Sequence, residues 1–121
     1  MITIDYKSQK AIYEQIYDEI TKLILSKSLK SDDKLPSVRE LASLIKINPN
    51  TIQKAYRFLE LNNFIYTIKG RGNYVKNNED LRKIHIKKIN EKLLQNIKSL
   101  KELGVDNDKI LEIVNRELIV D

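Results

Sequence analysis

The sequence has no cysteine, no tryptophan, and only three glycines and two prolines among its 121 residues. Without cysteine it can form no disulfide, thiolate metal site or cysteine nucleophile. It lacks any apolar run of about 18 residues, the length that suggests a membrane-spanning helix. Its N-terminus, MITIDYKSQK, also lacks the apolar core of a signal peptide. We therefore expect a cytoplasmic protein with no membrane partner.

Catalytic signatures are absent from the sequence as well. The single histidine, His85, has no partner residues in a recognisable catalytic arrangement. Neither a phosphate-binding glycine loop nor a cluster of metal ligands stands out. These absences predict that the chain is not an enzyme and that it has no catalytic residue, no metal and no cofactor.

What the sequence does contain is an excess of positive charge in one part of the chain. The net charge is +5. Residues 1–78 contain 13 Lys or Arg and 8 Asp or Glu, whereas residues 79–121 contain 9 of each. All the excess therefore falls in the first segment, where contacts with nucleic-acid phosphates would use it. A lysine-rich surface without that role is the alternative interpretation of the charge alone.

Hydrophobic spacing predicts a mainly α fold with a small β-wing, organised as a domain at 1–77 and a helical tail at 78–121. Apolar residues recur at helical intervals from Ala11 to about Ser26, and a polar loop is expected at 27–34. The tail has a long helical pattern from 79 to 103 and a shorter one after it.

Two short helices in the middle of the chain have the clearest local signals. Ser37 and Glu40 have the spacing of a capping box. Asn48 is predicted to cap the next helix, with Pro49 at its first position. That next helix is predicted to bury one face and to direct polar side chains outward. Its predicted core residues are Ile52, Ala55, Tyr56 and Leu59. The pair of helices predicts a helix-turn-helix.

A β-hairpin is predicted directly after these helices. The segment 64–68 is rich in β-forming residues and predicts a first strand. Lys69-Gly70-Arg71-Gly72 is a glycine-containing turn, and residues 73–75 form the return strand. Asn63 is expected to end the preceding helix in a left-handed conformation. Together these elements predict a winged helix-turn-helix followed by a two-helix tail.

The exposed residues of this winged helix suit double-stranded DNA. A recognition helix presents its first residues to base edges in the major groove. Amide side chains can pair with adenine and lysine can donate to guanine, so the candidate base readers are Asn50, Gln53 and Lys54. The candidate backbone anchors are Ser37, Arg39, Thr51 and Arg57, together with the free N–H groups at the helix start. The wing tip, Lys69, Gly70, Arg71 and Gly72, is thin enough to approach a minor groove. The alternative is a winged helix that contacts protein or RNA without operator specificity.

The same motifs resemble a known family. YEQI, LPSVRELA, NPNTIQKAY and KGRGNYV are similar to the N-terminal domain of GntR-type bacterial transcription regulators, across residues 11–75 without a gap. The resemblance implies that Arg39, the start of the recognition helix and the wing tip contact operator DNA, and it favours a repressor. Lys46 and Asn63 stand where the family usually has glycine, and Lys46 implies a slightly different turn geometry.

The short tail resembles that of the YtrA-like subgroup of this family, in which it makes the dimer. A stripe of apolar residues supports such pairing. The predicted dimer interface is Ile86, Ile89, Leu93, Ile97, Leu100 and Leu103. The alternative is that this helix packs only within its own chain. A two-fold homodimer predicts an inverted-repeat operator. A small-molecule effector is compatible with the sequence, but no residue pattern calls for one.

Overall fold

The computed structural model describes residues 2–119. Over this range the chain forms α1 (Ile12–Leu25), α2 (Val38–Ile45), α3 (Pro49–Leu61), β1 (Ile65–Ile68), β2 (Gly72–Val75), α4 (Glu79–Glu102) and α5 (Asn107–Ile119). Contacts divide it into two compact units, Met1–Glu79 and Asp80–Asp121, which we name the winged-helix unit and the tail unit. The predicted fold class, a mainly α winged helix-turn-helix with a two-helix tail, is confirmed.

One hydrophobic core holds the winged-helix unit together. α1 contributes residues spaced four apart, which share one helix face, and α3 packs against both α1 and α2. The buried members are Ile16, Ile20, Ile24, Leu35, Leu41, Ala42, Ile47, Ile52, Ala55, Tyr56, Leu59, Ile65 and Val75. All four residues predicted for the core face of α3 are among them, so that prediction is confirmed.

Local hydrogen bonds set the geometry between α2 and α3. Ser37 Oγ accepts from the Glu40 N–H at 3.1 Å and the Glu40 carboxylate accepts from the Ser37 N–H at 3.0 Å, which confirms the capping box. Lys46 ends α2 with φ 57° and ψ 48°, the left-handed conformation that glycine adopts most readily. Asn48 then caps α3 and Pro49 occupies its first turn, as predicted.

The wing follows α3 directly. Asn63 has φ 65°, which confirms the predicted left-handed residue after the helix. β1 and β2 then pair antiparallel in a register that runs from Ile65↔Val75 to Ile68↔Gly72. Ile65 and Val75 are buried, so the base of the hairpin is part of the core and its far end projects from it.

The chain just before α2 pairs with the other edge of β2. Lys34 forms an antiparallel bridge with Tyr74, and the Leu35 N–H donates to the Asn73 carbonyl at 2.9 Å. The prediction of a simple polar loop over 27–34 is therefore wrong at its end. The wing has three paired segments rather than two, because a segment distant in sequence joins it.

The tail unit contains far less buried surface. α4 has no buried residue, and Ile110 of α5 is the one buried side chain among the described residues of this unit, at 7% exposed. Within residues 2–119, none of the helices has the length and apolar character needed to cross a membrane.

Candidate nucleic-acid interface

The outward face of α3 carries the residues predicted to meet DNA. Asn50, Gln53, Lys54 and Arg57 are exposed on the side opposite the core, and Thr51 is half-buried at its boundary. The first turn of α3 contains no acidic residue, so no carboxylate there repels a phosphate group. The predicted outward orientation of these polar residues is confirmed.

The backbone at the start of α3 is already hydrogen-bonded within the protein. Pro49 has no N–H group to offer. The Asn50 N–H donates to Asn48 Oδ1 at 2.8 Å, and the Thr51 N–H donates to the Asn48 carbonyl at 3.0 Å. The expectation of free N–H groups at this helix start is therefore wrong. An anchoring role for Thr51 has to come from its hydroxyl group.

The ammonium group of Lys54 lies against α1. Its Nζ atom is 4.1 Å from the centroid of the Tyr13 ring, and that ring stacks on Phe58 with centroids 5.7 Å apart. Such a contact contributes about 0.5–1 kcal/mol at an exposed site, so a guanine acceptor can displace it. Sequence reasoning missed Tyr13. Tyr13 directly follows Ile12, which lies on the apolar face of α1, and this position is the signal that places Tyr13 at the edge of that face.

Two predicted backbone anchors lie at the start of α2. Ser37 caps the helix and Arg39 is exposed in its first turn. Hydrogen bonds from the Ser37 backbone and side chain hold the pKa of Glu40 below its ordinary value, with a smaller contribution from the charge of Lys34. The ionised Glu40 carboxylate therefore keeps the capping box closed at neutral pH, and the two anchors are presented from a fixed helix end.

Tyr56 joins the recognition helix to the segment that leads into α2. Its side chain is 2% exposed and its hydroxyl donates to the Pro36 carbonyl at 2.7 Å. Burial raises the pKa of Tyr56 far above its ordinary value, so the phenol stays protonated and continues to donate. This bond fixes the anchor-bearing end of α2 relative to α3.

The wing tip presents two cations on a narrow loop. Lys69, Gly70 and Arg71 are exposed, and the Arg71 N–H donates to the Ile68 carbonyl at 2.9 Å to close the turn. Gly70 has φ +81°, a conformation that residues with a side chain rarely adopt. The loop therefore stays thin at the point where it would enter a groove.

Gly72 makes room for a lysine that sequence reasoning did not select. A Cβ atom at this position would lie 3.0 Å from Cε and 3.8 Å from Nζ of Lys34. Lys34 thus adds a positive charge near the base of the wing tip. The sequence favours extended backbone here, because Leu35 precedes Pro36 and the residue before proline favours that conformation. It does not indicate that the wing is the partner of this segment.

An aromatic pair stiffens the wing. The rings of Tyr66 and Tyr74 stack across the two strands with centroids 5.6 Å apart. The Tyr66 hydroxyl donates to Asp32 Oδ1 at 2.7 Å, and this hydrogen bond raises the pKa of Tyr66. Thr67 Oγ1 also donates to Asn73 Oδ1 at 2.7 Å. These contacts hold the hairpin rigid beneath its tip.

The residues predicted for pairing lie in the tail unit. Ile86 is 40% exposed, Ile89 53%, Leu93 51% and Leu103 81%, whereas Ile97 and Leu100 are half-buried. Across residues 2–119 no group of three or more His, Cys, Asp or Glu side chains is arranged to hold a metal ion.

Known proteins share both the sequence and the fold of this chain. Residues 12–75 match the family described as bacterial regulatory proteins, gntR family. The HTH-type transcriptional repressor YtrA of Bacillus subtilis is 44% identical over 114 residues, which cover 93% of this chain and 88% of that protein.

Solved structures agree with this match. A transcriptional regulator from Oenococcus oeni has a TM-score of 0.76 at 34% identity, covering 98% of this chain and 99% of that one. AraR(DBD) in complex with operator ORE1 has a TM-score of 0.54 at 25% identity, covering 62% of this chain and 92% of that one. With the capped helix-turn-helix and the wing described above, these matches show that the chain belongs to the gntR family of bacterial regulatory proteins and is YtrA-like.

Proposed function

We propose that this chain is a sequence-specific repressor that binds an inverted-repeat operator as a homodimer. The observation that carries the proposal is the exposed polar face of α3, whose opposite face is fully buried. A helix held in this way fits the major groove of B-DNA, which is wide enough to admit it. The operator complex of AraR(DBD) and the repressor name of the Bacillus subtilis relative support DNA binding and repression.

Within this surface we divide the residues into readers and anchors. Asn50, Gln53 and Lys54 read bases, with Lys54 exchanging the Tyr13 ring for a guanine acceptor. The remaining residues hold the DNA backbone or approach the minor groove. The anchors are Ser37, Arg39, the hydroxyl of Thr51 and Arg57, and the wing residues are Lys69, Gly70, Arg71 and Gly72.

Selection of duplexes from a random DNA library by the purified chain tests this proposal. We expect an inverted repeat whose half-site centres lie about one helical turn, or a multiple of it, apart. The chain should prefer the selected duplex to a scrambled one, and its affinity should fall steeply as the salt concentration rises. Equal affinity for every duplex would overturn the proposal.

An RNA duplex of the selected sequence is the matched control for the alternative function. A-form RNA has a deep, narrow major groove that side chains cannot read. A reader of operator DNA should therefore bind this RNA only as weakly as scrambled DNA. Affinity for the RNA equal to that for the selected DNA would favour RNA contacts instead.

We further propose that the tail unit pairs with the tail unit of a second copy. Beyond the stripe on α4, the helix α5 also carries exposed apolar residues, namely Leu111, Ile113, Leu118 and Ile119, which are 44–77% exposed. Two helices with one buried side chain have too small a core to be stable alone, and soluble monomers rarely leave such large apolar surfaces uncovered. The segment 79–121 has equal numbers of acidic and basic residues, so two copies do not repel each other there.

Sedimentation equilibrium of two variants tests the pairing. Leu93→Asp places a carboxylate in the stripe and should raise the dimer dissociation constant about 100-fold, a change of about 2.7 kcal/mol. Lys98→Asp is the control, because it lies about 140° around α4 from Leu93 and should leave the dimer intact. A wild-type chain that is monomeric at micromolar concentration, or a Leu93→Asp chain that is still dimeric, would contradict the proposed interface.

A further inference from the structure

We propose that Lys34 is an additional DNA-backbone contact, a cation that joins the anchors at the start of α2 to those at the wing tip. The inference rests on the proposed DNA binding and adds to that surface a residue that lies in neither the recognition helix nor the wing turn. Three features support it: its fixed backbone, the course of its side chain, and the charges around it.

The backbone of Lys34 is fixed on the wing before DNA arrives. Lys34 itself bridges to Tyr74. On one side of it the Asp33 carbonyl accepts from the Val75 N–H at 2.8 Å, and on the other the Leu35 N–H donates to β2 at 2.9 Å. A charge carried on a paired strand loses less conformational freedom on binding than one on a loose loop. Lys34 is therefore pre-organised for a contact.

The side chain of Lys34 runs across the base of the wing tip. The 3.0 Å separation between its Cε atom and the Cβ position of residue 72 means that the stem lies directly over Gly72. The two cations of the turn, Lys69 and Arg71, come just before that glycine in the chain. When the apolar stem of a lysine packs on the protein surface, the ammonium group at its end is held in a fixed place and remains in solvent.

The charge of Lys34 also acts on the start of α2. It contributes to the lowered pKa of Glu40, behind the hydrogen bonds from Ser37. Lys34 thus links the two places from which the other anchors project, because it precedes Ser37 by three residues in the chain and its side chain lies over Gly72 of the wing. A DNA backbone that passes from Ser37 and Arg39 to the wing would meet this charge.

The carboxylates around Lys34 have other hydrogen-bond donors. Asp32 accepts from the Tyr66 hydroxyl at 2.7 Å, and Asp33 accepts from the Lys30 N–H at 2.8 Å. Glu40 accepts from the Ser37 N–H at 3.0 Å. Among residues 2–119, Lys34 forms no salt bridge with a carboxylate. Its charge therefore remains available for a phosphate.

The salt dependence of DNA binding by Lys34→Gln tests the inference, with the selected duplex and its scrambled version as probes. Each lost phosphate contact lowers the slope of log affinity against log salt by about 0.9. For Lys34→Gln we expect the slope to fall by that amount per subunit. Binding to both duplexes should weaken about three- to tenfold per subunit, and the base preference should not change. Lys34→Arg retains the charge and should keep the wild-type salt slope. Lys22→Gln, in the last turn of α1, removes the same charge elsewhere and should leave the slope unchanged.

Two outcomes separate failure of this inference from failure of the proposed function. A wild-type chain with normal operator preference whose Lys34→Gln variant keeps the full salt slope would overturn the role of Lys34 alone. The same holds if the variant loses only thermal stability, because Lys34 would then act only within the fold. A wild-type chain without preference for its selected duplex would instead overturn operator reading itself.

Discussion

The two units of this chain use the same apolar residue types with opposite results. In the winged-helix unit Ile52 and Leu59 are 0% exposed, whereas in the tail unit Leu93 is 51% and Leu103 81% exposed. Apolar residues recur at helical intervals in both units. The difference is that elements of the same chain cover the first set and leave the second open. The surface proposed to read DNA is therefore supported by a core within the same chain, whereas the proposed pairing surface needs a second molecule to cover it.

The largest expected effect comes from emptying that core. Leu59→Ala should destabilise the winged-helix unit by about 2–5 kcal/mol, because it leaves a cavity that the neighbouring side chains cannot fill. Leu94→Ala on α4, where the side chain is 67% exposed, should change stability by less than about 0.5 kcal/mol. Urea unfolding followed by circular dichroism measures both. Equal losses would show that the two units do not differ as described.

A smaller effect should separate readers from anchors within the winged-helix unit. Gln53→Ala should relax the preference at one base pair of each half-site by about 1–3 kcal/mol. Arg39→Ala should weaken binding to all sequences alike and lower the salt slope. Titrations against single-base variants of the selected duplex measure the two patterns. The same uniform loss from both substitutions would contradict the assignment of Gln53 as a reader.

The smallest expected effect concerns the capping box of α2. Because the pKa of Glu40 is lowered in the folded chain, its carboxylate stabilises the fold above its ordinary pKa. That stabilisation is lost as the pH falls through the lowered value. Glu40→Gln keeps an acceptor for the Ser37 N–H but cannot titrate. The urea midpoint of the wild type should thus fall slightly more than that of the variant between pH 6 and pH 3. Identical pH dependence would exclude this contribution.

Features determined by neighbouring residues were predictable from the sequence. The Ser37–Glu40 box, the Asn48-Pro49 start and the left-handed Asn63 all depend on contacts within a few residues, and the structure contains each of them. The same is true of the buried face of α3, because helical periodicity alone selects it.

Features determined by distant partners were not predictable in this way. The pairing of Lys34 with Tyr74 and the contact of Lys54 with Tyr13 join segments that no local pattern connects. The expectation of free N–H groups at α3 failed for a different reason. Asn48 supplies both a side-chain and a backbone acceptor there, and the prediction counted it only as a cap.

The most direct test of the division between the two units is a comparison of DNA affinities. The wild type and Leu93→Asp are each titrated with a duplex that has one half-site and with the inverted repeat. The wild type should bind the inverted repeat at least about 100-fold more tightly than a duplex with one half-site, because the second contact becomes intramolecular. Leu93→Asp should bind the single half-site as the wild type does and lose the gain on the inverted repeat. A variant that keeps the full gain, or that also loses half-site binding, would contradict the assignment of reading to one unit and pairing to the other.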